Sequence, residues 1–152
     1  MRLTANFTLE QLTYSETAER ERIDNTPGAD IVDNLRLLAE GLELVRIRTG
    51  FPLDISSAYR SPELNRRIGG TKDSQHTLGL AADFTCDEFG PPLAIVKAIR
   101  DAGIEFDQCI LEYGKWVHIS FSTAPRGRVL SIHDAAQGYL DGLRDASGKQ
   151  IA

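Results

Sequence analysis

The chain has 152 residues, 41% of them hydrophobic and 26% charged, with a formal net charge of −5. That is enough apolar material for one globular domain with its own core, at a length near the commonest domain size, so a second full domain is not expected. No basic footprint points to nucleic acid, and no apolar run is long enough to span a bilayer, so neither is expected as a partner.

The opening MRLTAN has no apolar stretch behind it, and synthesis in the cytoplasm without a secretory signal is expected. Action outside the cell would then need another route of release. Residues 7–23 read as a helix capped by Thr8, with Glu10 and Gln11 in its first turn. DNTPGAD is a turn cluster. The spacing of Ile31, Leu35, Leu38, Leu42 and Val45 predicts an amphipathic helix over 29–49, ended by Gly50. LDISSA (53–58) reads as a short strand. Ser61 and Pro62 open a short helix in the N-cap and N1 pattern, and Gly69 and Gly70 end it.

A polar loop, TKDSQ, leads to His76. LAADFTC (80–86) reads as a buried strand and 91–103 as a helix with Leu93, Ile95, Val96 and Ile99 on its apolar side. FDQCILE (106–112) and WVHISF (116–121) flank Tyr113-Gly114-Lys115, a hairpin signal. A further strand is expected over 127–132. Residues 138–152, with Gly138, Gly142 and Gly148, carry weak signals and read as a loosely ordered tail. The whole predicts a single α+β domain over 1–152: a helical lead-in over 1–50 and a core over 53–122 with a small, mainly antiparallel sheet flanked by helices. Cys86 and Cys109 fall in apolar runs, too few for a disulfide framework and wrongly spaced for a CxxC metal site, so both read as buried free thiols.

Three constellations carry chemistry. In SQHTLGLAAD, His76 stands on a loop and Asp83 follows seven residues later inside an apolar strand. A carboxylate between Ala82 and Phe84 is costly to bury unless paired or metal-bound, and zinc accepts imidazole nitrogen and carboxylate oxygen at ~2.0–2.2 Å. Asp83 paired with an arginine or hydrogen-bonded by a loop is the alternative. In EYGKWVH, strand alternation puts Trp116, His118 and Ser120 on one face and Val117, Ile119 and Phe121 on the other. His118 is then a third ligand, with one position left open, or a hydrogen-bonded strand histidine. In SAYRSPELN, Arg60 leaves a strand on a turn fixed by Pro62, placed either to bind a carboxylate or oxyanion or to form a surface ion pair. His133 has no matching partner and reads as a surface residue. Trp116 reads equally as groove lining or sheet cover.

Taken together, SAYRSPELN, SQHTLGLAADF and FDQCILEYGKWVHISF, in this order over about 53–122, resemble the M15 zinc peptidases, the D-Ala-D-Ala carboxypeptidases, dipeptidases and phage endolysins of peptidoglycan. The family pattern SxHxxGxAxD is met by Ser74, His76, Gly79, Ala81 and Asp83. The resemblance implies the hedgehog/DD-peptidase-like fold, Zn2+ held by His76, Asp83 and His118, and a substrate-side Arg60; beside these, Ser74 is expected to hydrogen-bond near the metal or the substrate and Trp116 is a candidate substrate contact. It implies hydrolysis of an amide bond in peptidoglycan stem peptides by a monomer, and a phage or prophage lysis role that would supply the missing release route. One departure stands out. Many members place the catalytic acid three residues before the last histidine, where this chain has Lys115. Glu112, six residues before His118, is the base expected here, as in the hedgehog domain, with Asp107 as the fallback. Lys115 also keeps open a non-catalytic, zinc-stabilised binding module of the same fold.

Overall fold

The computed structural model describes residues 1–152. Its elements are α1 (Leu9–Thr13), α2 (Glu16–Glu21), α3 (Ala29–Thr49), β1 (Asp54–Ser57), α4 (Pro62–Arg67), a 3₁₀ turn (Gln75–Leu78), β2 (Ala81–Thr85), α5 (Pro92–Asp101), β3 (Gln108–Glu112), β4 (Trp116–Ser120), β5 (Arg128–Ile132) and β6 (Tyr139–Asp141). The strands form one sheet in the order β1-β2-β4-β3-β5-β6. Every pairing is antiparallel except β3 with β5, so the fold is α+β with a mainly antiparallel sheet. No helix is long and apolar enough to cross a membrane.

Helix α3 has the bounds its apolar spacing predicts. Leu35, Leu38, Leu42 and Val45 are fully buried, and Gly50 ends it in the left-handed region at φ 78°. They join Ala82, Phe84, Cys109, Leu111, Val117, Ile119 and Ile95, Val96 and Ile99 of α5 in one core of 23 residues, on one face of the sheet. Contact between α3 and the chain after β4 is close: a Cβ on Gly41 would lie 2.4 Å from the Phe121 ring. Both cysteines are buried and free, and burial pushes the Cys109 thiol up.

Two expectations are corrected. The helix predicted over 7–23 is two short helices, because Tyr14 and Ser15 are extended and the Ser15 hydroxyl accepts from the Ala18 amide, starting a new helix. The tail over 138–152 is built into the fold: β6 pairs with β5, Leu143 is 1% exposed in the core, and Arg144 bridges to Gln150. His133 is tied into the same region through Nε2, 2.6 Å from the Arg144 carbonyl.

β1 carries the one irregularity of register that matters for the site. Ile55 pairs with Phe84 but Ser57 pairs with Asp83, so Ser56 is an extra, bulged residue. Without the bulge Ser57 would follow Ile55 onto the core face; with it, Ser57 shares the opposite face with Asp83. On that face one row runs Ser57–Asp83–His118–Ile110–Leu130–Asp141 across all six strands, and the next runs Trp116–Glu112–Ile132–Tyr139.

Candidate functional site

Asp83 and His118 are direct cross-strand partners on β2 and β4, which brings their side chains together on the face away from α3. His76 arrives from the 3₁₀ turn. The Ser74 hydroxyl caps that turn by accepting from the His76 amide at 3.2 Å, and Gly79 ends it at φ 73°. A side chain on Gly79 would meet Ile31 of α3 at 3.0 Å, and Asn34 donates to the Leu78 carbonyl at 2.8 Å, so α3 is the backing against which the His76 turn is pressed.

The three side chains are buried and their ligand atoms lie within 4.8 Å of one another. Asp83 Oδ1 is 3.2 Å from His76 Nε2 and 3.0 Å from His118 Nδ1, and the two imidazoles meet edge to face, 5.0 Å between centroids. A tetrahedral ion ~2.1 Å from each ligand sets its ligand atoms about 3.4 Å apart, close to what is seen. The protonation of His76 supports a cation independently. Its Nδ1 is 2.7 Å from the Ala58 carbonyl, which can only accept, so Nδ1 carries the hydrogen. In the neutral ring Nε2 is then a lone pair facing a carboxylate oxygen. Burial, the largest influence on this imidazole, lowers its pKa and disfavours the second proton that would relieve the contact. A metal between the two acceptors satisfies both, and a metal-binding histidine commonly gives its other N–H to a carbonyl in this way. Burial by itself would raise the Asp83 carboxyl, but the His118 side chain hydrogen-bonded to it outweighs that and holds the group below the usual carboxylate range.

Glu112 stands beside this cluster, Oε1 3.5 Å from His118 Nδ1. Its other oxygen accepts from Trp116 Nε1–H at 3.1 Å. Burial, helped by the Asp83 charge, pushes the Glu112 carboxyl up, against the pull of His118. Lys115 is exposed at the hairpin tip, where Tyr113 and Gly114 both have positive φ, the backbone of a type I′ turn. Arg60 reaches from the β1–α4 connection to Asp83 Oδ2 at 3.5 Å. It is clamped by Ser57 Oγ on Nε and Asn65 Oδ1 on Nη1, each 3.1 Å away.

The expected residues therefore divide by what they touch. His76, Asp83, His118, Glu112 and Arg60 converge, whereas Ser74 and Trp116 make their hydrogen bonds to His76 and Glu112 and hold those residues in place. Asp107, the fallback base, is engaged elsewhere: Arg126 grips both its oxygens at 2.7 and 2.8 Å and Gln75 Nε2 donates at 2.8 Å. Sequence reasoning missed Asn65, 3% exposed, which links Arg60 to the Thr71 carbonyl. Its only signal was an asparagine inside a short helix otherwise closed by glycines.

Two expected results arise here. A Cβ on Gly70 would lie 2.0 Å from Asn65 Oδ1 and 2.9 Å from Arg60 Nη1. Gly70→Ala should displace the Arg60 clamp and lower kcat/KM about 10- to 100-fold while metal content stays at the wild-type level, read by steady-state kinetics and metal analysis. For Asp107, the hydrogen bonds from Arg126 lower the carboxyl from 3.8 to about 2. A lowered carboxyl contributes stability above its ordinary pKa and loses it as pH falls through the folded value. Because Arg126 is exposed and screened, Asp107→Asn should cost about 1 kcal/mol at neutral pH. In denaturant melts the gap to wild type should close as pH falls from 3.8 towards about 2.

No curated protein matches the chain. Two imidazoles sharing one buried carboxylate, with a second carboxylate beside the later histidine, form the kind of centre that metallopeptidases use. The sequence model of the family described as Peptidase M15 matches residues 5–120, a stretch that holds every one of these groups, and the chain belongs to that peptidase family.

Proposed function

We propose that the protein is a zinc-dependent peptidase that hydrolyses an amide bond in peptidoglycan stem peptides, by D,D-carboxypeptidase or endolysin-type endopeptidase action. The observation that carries the reading is the placement of Glu112, a partly buried carboxyl with one oxygen fastened by Trp116 and the other turned to the His76–Asp83–His118 cluster. Zinc held by those three residues would supply Lewis acidity for the scissile carbonyl and an acidified water. Glu112 takes the proton of the attacking water through Oε1 and returns it to the departing amine. Burial raises its pKa, which makes it a stronger base towards that water than an ordinary glutamate. Arg60, clamped by Ser57 and Asn65, offers its remaining N–H groups to a substrate carboxylate or to the developing oxyanion. His76 stays neutral and oriented through the Ala58 carbonyl.

The test is mass spectrometry of purified peptidoglycan digested with the zinc-loaded protein. New free amino groups with matching peptide fragments are expected, and the fragments identify the bond cut. Zinc binding without any cleavage of peptidoglycan or D-Ala-D-Ala peptides would favour the binding module instead. Action on the wall also fits a protein released by cell lysis.

A further inference from the structure

The family match ends at residue 120, yet the site's sheet face continues beyond it. β5 runs parallel to β3 and places Ile132 beside Glu112, and β6 then places Tyr139 beside Ile132. Directly paired residues on adjacent strands share a face, so Tyr139 stands on the face of Glu112, two strands away in the same row. Ile132 between them is 6% exposed, whereas Tyr139 is 59% exposed and available to a ligand. The hairpin tip leans towards it. Tyr113, held at φ 57°, donates its amide to the Ile132 carbonyl at 2.7 Å, and its ring packs 5.5 Å from that of Trp116. A left-handed backbone at a bulky residue is strained and is kept where the surroundings require it. Partial burial, followed by the charge of Glu112, pushes the Tyr139 phenol up, so at neutral pH it is an O–H donor close enough to feel that carboxylate.

On the other flank of the cluster a groove of about 240 Å³ is lined by Tyr14, Ser57, Arg60, Leu64 and Ile68. The metal ligands thus lie between two surfaces, one ending at Arg60 and one built of aromatic rings.

We propose that Tyr139, with Tyr113 and Trp116, forms a substrate-binding wall that holds the peptide chain on the Glu112 side of the scissile bond. This rests on the peptidase reading above. Rings of this kind pack against peptide planes and side-chain stems, and the phenol of Tyr139 donates to a peptide carbonyl. Tyr139 is a specificity residue of this chain, contributed by a segment outside the family match.

Trp116 is the only tryptophan in the chain, so its fluorescence reports occupancy of this wall. The probe is the synthetic pentapeptide L-Ala-γ-D-Glu-L-Lys-D-Ala-D-Ala, titrated into zinc-loaded full-length protein carrying Glu112→Gln, which binds without turnover. Adding Tyr139→Ala should raise Kd about tenfold and Tyr139→Phe about threefold, the range expected for losing ring and hydroxyl contacts or the hydroxyl alone. Melting temperature and zinc content should not change, since the side chain is exposed. In the otherwise wild-type enzyme Tyr139→Ala should raise KM more than it lowers kcat. A parent that binds the peptide with a Kd unaffected by Tyr139→Ala overturns the wall alone. A parent that does not bind, in a protein that also fails to cut, overturns the peptidase reading and the wall with it.

Discussion

Glu112→Gln should lower kcat about 10³-fold while the protein keeps its full complement of metal. General acid–base groups contribute typically about 10²–10⁴ in rate, and in the proposed mechanism one residue serves both the attack and the departure of the amine. Glutamine has nearly the shape of glutamate, and its amide oxygen can still accept from Trp116 Nε1–H, so the hairpin keeps its geometry. Glu112 is not among the three converging ligands, which is why metal should be retained. The pH profile supplies a second readout. Burial raises the Glu112 carboxyl and a bound cation opposes that, so kcat/KM of the wild type should fall on the acid side as this carboxyl takes up a proton. Full activity in Glu112→Gln, measured on stem peptide with metal content confirmed, would remove Glu112 from the chemistry.

Asp83→Ala should have the opposite signature, with metal lost as well as rate. Asp83 Oδ1 is the atom both histidines face, and Oδ2 is what the half-buried Arg60 guanidinium points towards. Its removal takes away one ligand of three and leaves two buried imidazoles and the half-buried Arg60 without their common partner. Changing a residue that merely supports a ligand weakens metal binding about 10–100-fold, so loss of a ligand should exceed 100-fold. The unpaired groups should cost about 1–3 kcal/mol in the metal-free state. A chelator should lower the melting temperature of wild type, because binding to the folded state alone stabilises it, and leave Asp83→Ala unmoved. Equal sensitivity of both to the chelator would place the metal elsewhere.

Much of this site was legible along the chain because its determinants are local. The α3 apolar spacing, the Ser61–Pro62 helix start and the Tyr113-Gly114-Lys115 turn each have short-range signatures, and the structure has all three. Alternation along WVHISF correctly assigned the faces of β4, which is what aligns His118 with Asp83. What escaped is long-range or too short to read. The bulge at Ser56 exists because two strands meet out of step, and nothing in DISS announces it. Asn65 matters through partners at Arg60 and Thr71 that its own neighbours do not predict. The Ser74 and Trp116 hydrogen bonds to the functional residues likewise depend on side chains meeting in space. The break at Ser15, where the serine caps a second helix, lies within a stretch whose helical pattern runs on without interruption. β6 is three residues between glycines, too little for periodicity, yet it carries Tyr139.

The most direct measurement is elemental analysis of zinc in three proteins purified side by side and dialysed against trace metal: wild type, Glu112→Gln and Asp83→Ala. The account predicts about one zinc per chain in the first two and almost none in the third, with all three folded by circular dichroism. A folded wild type that retains no zinc, or an Asp83→Ala protein that retains as much as wild type, would contradict the claim that His76, Asp83 and His118 hold one metal.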